Sequence, residues 1–228
     1  MTSISFFLPM YNEEQNIRAV TEGALAALSQ ATSTFELILV NDGSRDRTGA
    51  LADELSAEDK RIKPVHHPHN RGYGAALRSG FDAAGLDVVG FSDGDGQFDL
   101  SELPQLLAAL EGADAVSGYR LVRKDPFLRS VNAFLFNRLV RLLFQVPVRD
   151  VNCAFKLFRQ SALTGLVLKS EAALINAEML SRLHRRGAVI REVGVHHYPR
   201  QHGTQTGANP LVILRTFAEL FKLRHELR

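Results

Sequence analysis

Apolar residues fall along the first 120 positions in short bursts. Runs rich in β-branched and aromatic side chains recur at 4–9 (ISFFLP), 35–42 (FELILVND), 62–67 (IKPVHH), 87–93 (DVVGFSD) and 114–119 (DAVSGY), each the length of a buried strand. Between them the apolar positions change to helical spacing. Ile17, Val20, Ala24, Leu25 and Leu28 form one face of a first helix, opened by Asn12 as N-cap with Gln15 three residues on. Further helices are predicted over 46–55, 74–84 and 101–110. Because strand and helix alternate, the expected fold class is α/β, a Rossmann-like, mostly parallel sheet with helices on both faces.

In such sheets ligands bind outside the carboxyl ends of the strands. The polar motifs PMYNEE (9–14), NDGS (41–44), HPHNRGYG (67–74), SDGDGQ (92–97) and GYR (118–120) each follow one of the five predicted strands. All five therefore share one rim. In SDGDGQ, Asp93, Asp95 and Gln97 alternate, so a turning backbone aims two or three oxygens at one point, while Gly94 and Gly96 let the main chain approach a ligand. Oxygen donors in a partly open set suit Mg²⁺ or Mn²⁺ shared with phosphates; the alternative is an acidic turn that caps the next helix. Asp42 at a strand end can accept hydrogen bonds from a ribose or a base, or make an Asx turn. Tyr11 is placed for base stacking and Glu13 for a nucleoside contact, although Asn12, Glu13 and Glu14 also suit a helix N-terminus.

Two rival chemistries fit less well. A dinucleotide fingerprint would match Gly72 and Gly74 but meets Leu77 where a third glycine belongs, and it follows the third strand rather than the first. A zinc site from His66, His67, His69, His196, His197 and His202 lacks any supporting cysteine pair.

Downstream, residues 127–146 read as a helix with a wide apolar face, suited to a core or to a membrane interface, where Phe134, Leu135, Leu142 and Leu143 meet lipid and Arg129 and Arg141 attract phosphate. Lys156 and Arg159 read as added positive charge or as the surface of a helix start. The tail 211–228 is amphipathic, with Arg215, Glu219, Lys222 and Glu226 in one charged stripe.

Composition narrows the class. With 228 residues, 45% of them hydrophobic and 23% charged, the chain suits a single soluble domain over 1–228. Its halves, 1–120 and 121–228, divide the five rim motifs from the amphipathic helices. Lys and Arg total 27 against 25 Asp and Glu, which marks no nucleic-acid binder. The lone Cys153 forms no internal disulfide. Neither a secretory signal nor ~18 uninterrupted apolar residues is found, so a cytoplasmic location is expected.

Taken in order, PMYNEE, VNDGS, NRGYGAALRSG, SDGDGQFD and GYR resemble the inverting family 2 glycosyltransferases, most closely the branch of dolichyl-phosphate mannosyltransferase and bacterial polyprenyl-phosphate glycosyltransferases. The resemblance implies a GT-A fold, a nucleotide diphosphate sugar donor (GDP-mannose or a UDP-sugar), Mg²⁺ or Mn²⁺, and a polyprenyl phosphate acceptor met at the cytoplasmic face of a membrane. By residue, it implies that Pro9, Tyr11, Glu13 and Asp42 hold the nucleoside and that Asp93 and Gly94 lie at the donor. Asp95 and Gln97 would bind the metal, and Arg120 would face a phosphate. Arg129 and Asn132 match the family's acceptor helix, and Asp150 matches an acid near the reacting centre that positions the acceptor or serves as base. Arg200 and Gly203 fit a loop that closes on the diphosphate, with Gln205 and Thr206 in place of the family's Ser-Lys pair. A soluble or polysaccharide acceptor, and a non-enzymatic partner subunit, are the alternatives.

Overall fold

The computed structural model describes residues 2–121, 127–170 and 174–203, with Leu220, Leu223 and Arg224 of the tail; side chains at 127–134 and 136 are not among them. Strands β1 (Ile4–Met10), β2 (Phe35–Asn41), β3 (Ile62–His66), β4 (Val88–Phe91) and β5 (Ala115–Arg120) stand where the apolar bursts predict them. Helices α1 (Ile17–Ala31), α2 (Thr48–Glu58), α3 (Tyr73–Ala83) and α4 (Leu103–Ala109) connect them. Then follow α5 (Phe127–Phe144), β6 (Lys156–Arg159), α6 (Gln160–Leu163), α7 (Leu174–Arg185) and β7 (Ile190–Val195). The seven strands run in the order β3-β2-β1-β4-β6-β5-β7. Only β6 is antiparallel to its neighbours, β4 and β5; the described pairings of the other strands are parallel.

β1 and β2 are buried at every position, as a parallel strand covered on both faces requires. Successive residues point to opposite faces, and Phe6 and Phe7 show it. Phe7 stacks on Phe91 at 5.2 Å and meets Phe81 of α3 edge-on at 5.0 Å. Phe6 meets Phe155 edge-on at 6.2 Å on the other face, where α1 and α4 lie. Helix α3 approaches so closely that a Cβ on Gly80 would sit 2.3 Å from the Phe7 ring. A glycine is needed there for packing rather than for a turn.

Three local expectations change. Asn12 does not cap α1: it takes φ +57°, and its Oδ1 accepts from the Arg45 amide while its own amide donates to Ser44 Oγ, which ties the loop after β1 to the loop after β2. Asn16 takes the N-cap position instead. The 101–110 helix begins with a 3₁₀ turn at Leu100–Glu102, where Asp99 accepts from Ser101 N. Of Lys156 and Arg159, only Arg159 stands at a helix start, as the N-cap of α6. The two residues bound β6, whose Lys156 is fully buried.

Helix α5 divides its faces. Val140 and Phe144 pack with Leu174, Ala177 and Leu180 of α7 in a second, smaller core that also takes in Leu220 and Leu223. Leu135 and Leu142 point outward, 53% and 76% exposed. Among the described residues no helix is long and apolar enough to cross a membrane. Most of the amphipathic tail, with Gln205 and Thr206, lies outside the described residues.

Candidate active site

The carboxyl ends of the strands are joined side chain by side chain. Asp42 is buried after β2. Its Oδ1 accepts from the amide of Arg71 at 2.8 Å and its Oδ2 from that of Gly72 at 2.9 Å, and Oδ1 lies 2.6 Å from His67 Nδ1. His67 Nε2 continues to Ser79 Oγ at 2.8 Å. The carboxylate thereby shapes the loop between β3 and α3. A Cβ on Gly43, at φ +65°, would lie 2.2 Å from the backbone of His69, so this turn admits only glycine. The histidines at 66, 67 and 196 each have a partner within the fold: His66 between Asn41 and Asp53, His67 as above, His196 on Glu102.

The acidic turn after β4 is held against β1, since the Gly94 amide donates to Pro9 O at 3.3 Å. A Cβ on Gly94 would lie 2.6 Å from Met10 Cγ. The close approach that this glycine permits is to β1. Asp93 accepts from Tyr73 Oη at 3.0 Å, and Asp95 Oδ1 accepts from the Gln97 amide at 3.1 Å. Burial, then the neighbouring Asp95, raises the Asp93 carboxyl from 3.8 to about 7; burial also raises Asp95 and, with Asp93, pushes the Tyr73 phenol well up. Two carboxylates two residues apart at a strand end lack enough positive charge of their own. Near them Ser92 Oγ and Asn176 Oδ1 are buried without a hydrogen-bond partner among the described residues.

Arginines approach this pair. Arg200 donates to Glu13 Oε1 at 2.5 Å and reaches Asp95 Oδ2 at 3.5 Å. Burial raises the Glu13 carboxyl while hydrogen bonds from Asn16 and the charge of Arg200 oppose the rise. Arg200 arrives on a strap pinned by two mutual bonds, Tyr198 N to Gln97 O at 2.7 Å and Gln97 Nε2 to Tyr198 O at 2.9 Å. Gln97 has thus committed its amide nitrogen and keeps only Oε1 for a ligand. Arg120 forks onto Asp150, Nε to Oδ2 at 2.7 Å and Nη2 to Oδ1 at 2.8 Å, with both side chains largely buried. Beneath them Lys156 donates to the carbonyls of Val151 and Cys153, and burial lowers its ammonium pKa. Tyr11 is half-buried at the rim. The side chains of Arg129 and Asn132 lie outside the described residues.

Hard oxygen donors on a turn, poorly neutralised and beside arginines, fit a divalent cation shared with phosphates. Among the described residues no group of three His, Cys, Asp or Glu converges on one point, so such an ion would draw its other ligands from the phosphates or from water. The roles of Tyr73, His67 and Lys156 escape a reading of the sequence, which considers His67 only for zinc and Lys156 only as surface charge. Tyr73 sits inside a motif already singled out, whereas nothing near Lys156 in sequence marks it as buried.

The carboxyl shift has a measurable consequence. With its folded pKa above its unfolded value, Asp93 holds its proton in the folded state longer, so its contribution to stability is present below 3.8 and is lost as the pH rises through about 7. Asp93→Asn is therefore expected to stabilise the metal-free protein by about 2 kcal/mol at pH 8 and by much less at pH 4. Urea unfolding with chelator at both values checks it; an equal effect at the two would contradict the shift.

The sequence profile of Glycosyl transferase family 2 matches residues 5–166. Dodecaprenyl-phosphate galacturonate synthase of Rhizobium johnstonii is 30% identical over 232 residues, covering 99% of this chain and 68% of its own length. Undecaprenyl-phosphate 4-deoxy-4-formamido-L-arabinose transferase of Aeromonas hydrophila is 31% identical over 202 residues, with coverage of 88% and 61%. The chain thus spans less than two thirds of the Aeromonas protein. Among solved structures, glucosyl-3-phosphoglycerate synthase of Mycobacterium tuberculosis, in complex with Mn²⁺, UDP-glucose and phosphoglyceric acid, superposes with a TM-score of 0.75 at 21% identity, over 98% of this chain and 80% of its own.

Proposed function

Because this chain belongs to Glycosyl transferase family 2, we propose that it moves a sugar from a nucleotide diphosphate donor, GDP-mannose or a UDP-sugar, to a polyprenyl phosphate. The observation that carries this reading is the acid pair Asp93 and Asp95 at the end of β4, set beside Arg200 and with the charge of Arg120 acting on Asp93. A nucleotide sugar brings a diphosphate and its cation to such a place. The relatives named for dodecaprenyl and undecaprenyl phosphate support the acceptor, and the Mycobacterium structure holding Mn²⁺ with UDP-glucose supports the donor.

In this reading the nucleoside lies at the ends of β1 and β2, with Tyr11 on the base and Pro9, Glu13 and Asp42 around it. Asp42 acts largely by holding the 71–72 backbone. Asp95, with Oε1 of Gln97, would hold Mg²⁺ or Mn²⁺, and Asp93 with Gly94 would frame the donor. When bound, the ion would act as a Lewis acid on the departing diphosphate. Arg200 then grips the diphosphate from the strap. Arg120, oriented by Asp150 and accompanied by Arg129 on α5, receives the acceptor phosphate. A phosphate oxygen, already ionised at neutral pH, attacks the anomeric carbon as the bond to the diphosphate oxygen breaks. The electron pair leaves with the nucleoside diphosphate, and the configuration inverts. No strong base is required, and with both of its oxygens in the Arg120 fork Asp150 suits orientation better than proton transfer.

The exposed Leu135 and Leu142 of α5, beside exposed Arg138 and Arg141, suit peripheral contact with an anionic membrane surface. This favours a lipid acceptor over a soluble one. The test is release of nucleoside diphosphate from UDP- and GDP-sugars, with Mn²⁺ or Mg²⁺, in the presence of a short polyprenyl phosphate or of soluble acceptors. Metal-dependent release with the lipid is expected; release only with a soluble acceptor would replace the acceptor, and no release with any donor would overturn the reading.

A further inference from the structure

Arg200 already stands where a cation is wanted. Its side chain is 14% exposed and its guanidinium bridges Glu13 and Asp95, carboxylates far apart in sequence, and its Nε donates to His202 O at 2.6 Å. A Cβ on Gly203 would come within 2.6 Å of Arg200 Nη2, so the chain after the strap folds back over the guanidinium. The strap itself is built to deliver it. His196 binds Glu102 through its amide at 2.8 Å and through Nδ1 at 2.7 Å; His197 bridges Phe98 and meets its ring at 4.9 Å; Tyr198 and Gln97 exchange two hydrogen bonds. Arg200 thus projects from a segment paired with 97–98, directly after the candidate metal ligand Asp95.

We infer that Arg200 is the resident counter-cation of the acid cluster and that a divalent metal replaces it efficiently only together with a nucleotide diphosphate. The inference rests on the donor site of the proposed function and adds the order in which that site fills. A metal arriving alone must take Asp95 from Arg200 and leave the guanidinium with no anion in exchange for that contact. When a diphosphate accompanies it, the same guanidinium gains phosphate oxygens that match its planar fork. The exchange couples the two ligands: each binds more tightly in the presence of the other, by the same factor.

Titration of Mn²⁺ by electron paramagnetic resonance, at about pH 8 where carboxylates are largely ionised, with and without UDP or GDP, separates the possibilities. The wild-type chain is expected to bind Mn²⁺ alone weakly and Mn²⁺ with nucleotide strongly. Arg200→Gln is expected to bind Mn²⁺ alone about tenfold tighter, the worth of one partly screened charge at this range, and to lose about tenfold of the enhancement by nucleotide. Arg200→Lys, which keeps the charge, should return the weak metal-only binding and also guards against a variant that fails to fold. If Arg200→Gln binds Mn²⁺ alone no tighter than wild type while wild type still binds it with nucleotide, the exchange is wrong and the donor site stands. If no nucleotide promotes Mn²⁺ binding to wild type, the donor site falls and the exchange with it.

Discussion

Asp95→Ala is expected to lower metal-dependent sugar transfer by about 10²–10³-fold, the scale of losing one preorganised electrostatic contact to the charge that develops in the transition state. The metal-free fold should survive the change. Burial raises the Asp95 carboxyl, so its ionised form is disfavoured in the folded chain, and a hydrogen bond such as the one it accepts from Gln97 N is worth only about 1 kcal/mol. The diagnostic result is thus a large loss of turnover and of Mn²⁺ binding with little change in unfolding midpoint. A variant whose turnover stays within about threefold of wild type would remove Asp95 from the metal site.

The second large effect is on stability. Asp150→Ala leaves the guanidinium of Arg120, only 14% exposed, without its forked carboxylate, and breaking a buried pair from one side costs about 3 kcal/mol. For a chain of this size that corresponds to roughly 6–12 °C in Tm. Removing both charges together, as Arg120→Met with Asp150→Leu, should recover half or more of the lost stability, because the cost lies in the imbalance of buried charge rather than in the absence of the pair. The double variant should nonetheless be inactive in transfer, for want of Arg120. Thermal unfolding and nucleotide release on the three proteins decide the matter. Additive losses in stability would show that the two side chains act independently, and turnover in the double variant would take Arg120 out of the site.

These effects meet in one electrostatic layout. The same strand ends collect carboxylates and cations, and among the described residues the balance is left unfinished at Asp93 and Asp95. Glu13, Asp95 and Arg200 close one side; Arg120 and Asp150 close the other; Asp93, raised to about 7, registers the deficit between them. Lys156 contributes from below by holding the Val151 and Cys153 carbonyls, which fixes the turn that follows Asp150.

What could be read from the sequence was local. The continuous apolar runs of β1 and β2, the switch to helical spacing after each strand, and the acidic and glycine turns all depend on neighbours a few residues away, and periodicity reports such neighbours directly. The rule that places polar motifs at the carboxyl ends of parallel strands assigns Glu13, Asp42, Asp93, Asp95 and Arg120 to one rim from the sequence alone. The α/β architecture and the family likeness followed from the same short motifs.

Tertiary structure alone decided the rest. The antiparallel insertion of β6 between β4 and β5 cannot be read from the four residues KLFR, because the slot it fills is made by strands from other parts of the chain. For the same reason the sequence could not reveal that Lys156 is buried, that Asp42 shapes the 71–72 loop, or that α5 packs one face on α7 and turns Leu142 outward. Arg200 and Glu13 lie 187 residues apart, and Arg120 and Asp150 lie 30 apart. Partners so distant are chosen by closure of the whole fold and by the demand that buried charge be matched, a demand that local sequence expresses only as single charged residues whose counterparts it does not name.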